Sequence, residues 1–227
     1  MAQRWHDLLF AHWPLPVDAL RRHLPSTLIL DTFDGVAWIG VVPFRMSHVR
    51  LRGLPALPWL SAFPELNVRT YVTVEDKPGV YFFSLDAGNL VAVAVARWWF
   101  HLPYFRARMT CTSDGRSVSY RSSRTHRGAP GAEFVGRYRP CGDVFRTVFG
   151  TLEHWLTERY CLYAADTDHC IYRGDIHHQP WPLQPAEAEI AVNTMADAHN
   201  VALPNTPPLL HFARQLDVIV WSPRRVN

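Results

Sequence analysis

Lysine is almost missing from this sequence: Lys77 stands alone beside 22 arginines in 227 residues. Arginine keeps its charge and does not form an imine, so amine chemistry has one candidate. That candidate lies in a Pro-Gly turn, where a lysine is solvated and protonated. No basic run exceeds two residues and the net charge is +3, so there is no nucleic-acid footprint. The four cysteines (Cys111, Cys141, Cys161, Cys170) form no CxxC pair, and the N-terminus carries no signal-peptide pattern. Reduced thiols and a cytoplasmic location are expected. The longest apolar stretch, 90–100, is broken by Arg97 and is too short to span a bilayer, so no membrane partner is expected. GxSxG, P-loop and GxGxxG motifs are absent, as are repeats and low-complexity linkers. The chain, 1–227, reads as one domain.

What is present is bulk. Apolar residues make up 48%, with nine tryptophans and 18 prolines. That composition suggests a β-rich, loop-rich fold whose large side chains fill a cavity or barrel. The opening reads as a strand followed by a short helix with Val17, Leu20 and Leu24 on one face, closed by Pro25. LILDTFDGVAWIGVVPF reads as two strands joined at Phe33-Asp34-Gly35. ELNVRTYVTV alternates, with Glu65, Asn67, Arg69, Tyr71 and Thr73 on one face. Pro78 and Gly79 read as the turn into VYFFSLDA. The stretch 89–100 fits strand or helix. Asp114-Gly115 tips a hairpin, Thr151 caps a helix, CLYAADTDHCIYRGDIHH gives two strands, and HFARQLDVIVW a last one. The fold class is α+β, a curved antiparallel sheet or central β-barrel with a few peripheral helices.

Two patterns carry chemistry. The Glu65 face either meets solvent or lines a polar interior; in the second case Glu65 and Arg69 are neighbours at i, i+4, and Glu65 serves as a base or orients a substrate. Asp86 ends the next strand. It reads as an Asx turn or cap, or as a second carboxylate near Glu65, the two then dividing acid and base roles. ARWWFHLPYF places Arg97, His101 and Tyr104 within eight positions among apolar rings. His177 and His178 are adjacent and on a strand point to opposite faces, so they share no metal easily. Cys161, His169, Cys170 and His177 match no zinc spacing, and no metal is expected.

FAHWPLP, ALRRHLP, FPELNVRTYV, KPGVYFFSLDA, ARWWFHLPYFRARM, LTERYCLY, IHHQPWPLQ and LLHFARQLDVIVW together resemble the YqjF-like family of uncharacterised bacterial proteins (DUF2071) over nearly the whole chain. That family is more distantly similar to the acetoacetate decarboxylase superfamily, which attacks β-keto acids with a buried lysine amine. The resemblance implies a decarboxylase-like fold and a helix over Asn89–Phe100 ending near Arg97. It implies too that Tyr104 and Phe105 stand where the superfamily has its amine pair. A Schiff base is then not expected, and Tyr104 acts as proton donor or oxyanion holder. The resulting expectation is a pocket for a small organic or keto acid. Arg69, Arg97, Asn67 and His101 bind it, Glu65, Tyr104 and Asp86 supply acid–base chemistry, and no cofactor takes part. A non-catalytic ligand-binding or sensing protein is the alternative, and a homo-oligomer is plausible from the superfamily.

Overall fold

The structure, a computed structural model, describes residues 1–50, 61–89, 102–166 and 170–226. The stretch 90–101 lies outside the described residues, and with it the helix expected over Asn89–Phe100 and the candidates Arg97 and His101. In chain order the strands are β1 (Ala2–Leu15), β2 (Ile29–Leu30), β3 (Ala37–Arg50), β4 (Phe63–Val74), β5 (Lys77–Ala87), β6 (Tyr104–Ser113) and β7 (Val118–Arg124). They continue as β8 (Glu133–Pro140), β9 (Cys161–Ala165), β10 (Ile171–His178), β11 (Leu183–Asn193), β12 (Leu209–Val220) and β13 (Arg224–Val226). Among the described residues two short α-helices, α1 (Val17–Arg21) and α2 (Leu152–Thr157), lie beside them. Among the described residues no helix is long and apolar enough to cross a membrane.

The strands form one curved sheet that branches. Strands β12, β1, β3, β4 and β5 make a continuous wall. From β5 one arm runs through β6, β7, β8 and β11 back to β12, and another through β9 and β10 back to β12. The branching is possible because β5 divides its length. Leu85, Asp86 and Ala87 pair with β6, while Val80 and Tyr81 pair with β9. Both of these pairings are parallel, so the sheet is mixed rather than purely antiparallel.

The wall therefore has a chamber on each side, and β4 is buried on both faces. Its Leu66, Val68 and Val72 pack with Tyr120, Phe134 and Tyr138 in one apolar core. Glu65, Asn67 and Arg69 face the other chamber. The polar face of β4 is thus an interior surface and not a wet one.

Two local readings are corrected. The β4–β5 turn is Glu75-Asp76, both at positive φ, with Val74 opposite Lys77. Pro78 and Gly79 belong to β5. Gly79 is needed there because a Cβ would come within 2.7 Å of the Cys161 sulfur. The turn at Asp34-Gly35 forms with positive φ at both residues, but β2 pairs with β4 rather than with β3. Thr151 caps α2 as read, accepting from the His154 N–H at 3.4 Å.

Candidate functional site

The chamber between the wall and the β9–β10 arm contains a cavity of about 80 Å³. Three rows across the wall build its floor. Phe44, Glu65 and Ala87 are in register, then Val42, Asn67 and Leu85, then His12, Gly40, Arg69 and Phe82. On β1, Trp5 and Leu8 both line the cavity although three positions apart. A bulge resets the alternation between them, with Asp7 at φ 52°. Trp5, Phe44, Phe10 and Trp181 form a continuous aromatic wall, with neighbouring ring centroids 4.9–6.0 Å apart.

At one end stands Glu65, buried, accepting a hydrogen bond from the Tyr104 hydroxyl at 2.8 Å. Tyr104 is partly exposed as a residue, while its hydroxyl end sits in the desolvated interior. Burial pushes the Glu65 carboxyl up to about 8, against the Tyr104 hydrogen bond and helped by the charge of Asp86. At neutral pH Glu65 is an uncharged acid holding a proton. Its backbone is fixed from behind: the Tyr120 hydroxyl lies 2.7 Å from the Glu65 carbonyl and 3.0 Å from that of Phe44.

At the other end stands Arg69, 9% exposed. Its guanidinium donates to the Leu156 carbonyl at 3.3 Å and lies over the rings of Phe10 and Tyr71. It has no carboxylate partner among the described residues, and its Nε is buried without a hydrogen bond. Arg159 lines the same end. It is paired with Asp31 at 2.7 Å, and its Nη2 is likewise unpartnered. Between the ends, Asn67 Oδ1 and Trp181 Nε1 are buried with no hydrogen bond.

Behind Arg69, His12 is fully buried, and its Nε2 lies 2.7 Å from the Tyr71 hydroxyl. Desolvation, with Arg69 and His211 nearby, keeps this imidazole well below its usual range and so neutral. The His12 ring fits because its neighbour in β3 is Gly40, where a Cβ would lie 2.9 Å from the ring. Gly40→Ala is expected to cost about 1–3 kcal/mol of stability through this overpacking. In a His12→Ala background the same change is expected to cost much less. Urea unfolding of the four proteins measures the difference, and equal costs in both backgrounds would refute the contact.

The structure brings Glu65, Asn67, Arg69 and Tyr104 to one cavity and leaves Asp86 out. Asp86 lies opposite Leu66, so its side chain enters the other chamber. There both its oxygens are held by Arg124, at 2.7 and 2.8 Å, with neither side chain more than 1% exposed. Lys77 is ion-paired with Asp175 at 2.7 Å, 39% exposed and not among the lining residues. His177 is exposed and His178 buried, on opposite faces of β10. His178 lines the cavity, stacked on Tyr160, and burial lowers its pKa. The thiol of Cys161 points to the Pro78 carbonyl, and His169 lies outside the described residues. Among the described residues no group of three or more potential ligands could hold a metal. Arg159 and Trp181 were not readable as site residues. Each lies in a loop, where no periodicity assigns a face.

The chain matches, over residues 2–217, the sequence profile of the DUF2071 family, described as an uncharacterised conserved protein. It is 50% identical over 225 residues to the uncharacterised protein YqjF of Bacillus subtilis, covering 99% of this chain and 92% of that protein. Among solved structures it is similar to the enduracididine biosynthesis enzyme MppR in complex with the condensation product of pyruvate and imidazole 4-carboxaldehyde. There the TM-score is 0.70 at 10% identity, covering 99% of this chain and 88% of that one. It is similar also to acetoacetate decarboxylase from Legionella pneumophila, with TM-score 0.63 at 12% identity, covering 100% and 88%. The fold is acetoacetate decarboxylase-like.

Proposed function

We propose, for a chain that belongs to the DUF2071 family, that it binds and transforms a small organic acid by acid–base chemistry, without an imine. Arg69 carries this reading: a buried guanidinium with no carboxylate beside it is costly to leave unpaired, and an anionic ligand would supply the missing charge. Arg159 Nη2 would take the second oxygen of that carboxylate. Glu65, uncharged and hydrogen-bonded to Tyr104, would give a proton to the substrate or take one from it. The only lysine lies outside the cavity and is ion-paired, which supports a reaction without a Schiff base. The enzymes of the same fold that are solved with pyruvate or its condensation product favour a keto acid as the ligand.

The test is thermal shift with keto and hydroxy acids of three to ten carbons, on wild type and Arg69→Met. A bound acid is expected to raise the wild-type Tm. The shift is expected to vanish in Arg69→Met, while the unliganded variant is at least as stable as wild type because a desolvated charge is gone. If no acid shifts the wild type, or the shift survives in Arg69→Met, the reading fails.

A further inference from the structure

Building on Arg69 as the carboxylate anchor, we infer that the cavity is shaped for an elongated, flat, unsaturated monocarboxylic acid with a hydrogen-bond acceptor remote from its carboxylate, and not for a three-carbon keto acid. The first argument is length. Arg69 and Glu65 stand four positions apart on the same face of β4, which is about 13 Å between their backbones at the usual strand rise. In pyruvate the carbonyl adjoins the carboxylate. A molecule of that size seated on Arg69 leaves the Glu65–Tyr104 pair unused.

The second is the character of the walls. Between the two polar ends the cavity is bounded by the rings of Trp5, Phe10, Phe44 and Trp181 and by Val42 and Leu85. Such a slot favours a flat apolar body packed against ring faces. The third is the set of buried polar atoms without partners. Trp181 Nε1 is a donor and Asn67 Oδ1 an acceptor, and both belong to residues lining the middle of the slot. A ligand confined to the Arg69 end would leave both unsatisfied, at a cost a longer one removes. At the far end the uncharged Glu65 offers its proton to a carbonyl or hydroxyl oxygen.

The ligand is thus held as a monoanion. A second carboxylate at the Glu65 end would meet an acid and a phenol with no cation beside them among the described residues.

Three probes separate the elements: pyruvate has the anion alone, benzoate adds the flat ring, and 4-acetylbenzoate adds the remote carbonyl. Calorimetric titration of wild type is expected to give affinities rising in that order, with at least a tenfold gain from pyruvate to 4-acetylbenzoate. In Glu65→Leu the acetyl group is expected to bring no gain over benzoate. In Arg69→Met all three are expected to stop binding. If pyruvate binds as tightly as 4-acetylbenzoate, or benzoate equals 4-acetylbenzoate in wild type, the elongated-ligand inference is overturned while Arg69 keeps its role. If none of the probes shows Arg69-dependent binding, both readings are overturned.

Discussion

Arg124→Ala is expected to lose about 3–5 kcal/mol of folding stability, the largest single-residue loss outside the cavity. Arg124 is the bidentate partner of Asp86 in the filled chamber, with the two side chains 1% and 0% exposed. Its guanidinium also lies 4.1 Å from the centre of the Phe105 ring. Removing it strands a carboxylate whose pKa burial already raises. The variant is therefore expected to regain part of its stability as the pH falls and Asp86 takes up a proton. Replacing the pair together, Asp86→Leu with Arg124→Met, is expected to recover most of the loss, since an apolar pair of similar volume needs no desolvation of charge. Urea midpoints at neutral pH compare Arg124→Ala, Asp86→Leu, Arg124→Met and the double variant with wild type. A single variant within 1 kcal/mol of wild type, or a double variant as unstable as the sum of the singles, would contradict the account.

Glu65→Gln is expected to remove a pH dependence and not only a catalytic group. The native carboxyl titrates at about 8 instead of the ordinary 4.5. Between those values the native state holds a proton that the unfolded state has released. Stability therefore falls as pH rises through that window, by about 1.4 kcal/mol per unit and of the order of 5 kcal/mol in all. Glutamine keeps an oxygen to accept from Tyr104 and cannot ionise. The variant is expected to match wild type near pH 5 and to exceed it progressively up to pH 8 and above. The buried histidines act oppositely. Burial lowers His6 and His199 to about 4 and holds His12, His178 and His211 below their usual value. They favour the native state above the unfolded value near 6.5 and withdraw that support as pH falls through their lowered values. They are common to both proteins, so the difference between the two stability curves isolates Glu65. Parallel curves from pH 5 to 9 would mean that Glu65 is ionised in the native state.

The sequence showed the parity of β4 and not the meaning of its faces. Glu65, Asn67 and Arg69 do alternate with Leu66, Val68 and Thr70, but polar against apolar is here cavity against solid core, because the sheet branches on both sides of this wall. Branching depends on which stretch of β5 and β12 meets which arm, and no local pattern encodes that. Asp86 shows how narrow the margin is. A regular hairpin from Val74–Lys77 would set it directly opposite Glu65. The irregularity between Val68 and Arg69, where Phe83 is passed over on β5, adds one residue, so Ala87 faces Glu65 and Asp86 turns away. One inserted residue moved a carboxylate from the candidate site into a structural ion pair. Alternation and capping were readable because they are short-range, as at Thr151. The anion end was half readable: Arg69 sits in a periodic strand, whereas Arg159 follows α2 in a loop whose direction is set by its pairing with Asp31.

The wall that divides the two chambers also sets the order in which the protein can be made. Its first strand, β1, pairs along its length with β12, Ala2 with Ile219 and His12 with Leu209. At ordinary rates of synthesis, about 5–20 residues per second, β1 leaves the ribosome roughly 10–40 s before its partner exists. Through most of that interval Trp5 and Phe10, later walls of the cavity, lack the Trp181 ring that packs between them, and one edge of β1 stays open. Neither chamber can close before the last strand of the wall arrives. The geometry that encloses the cavity thus places this chain among slow, non-local folders whose nascent form depends on protection from its neighbours.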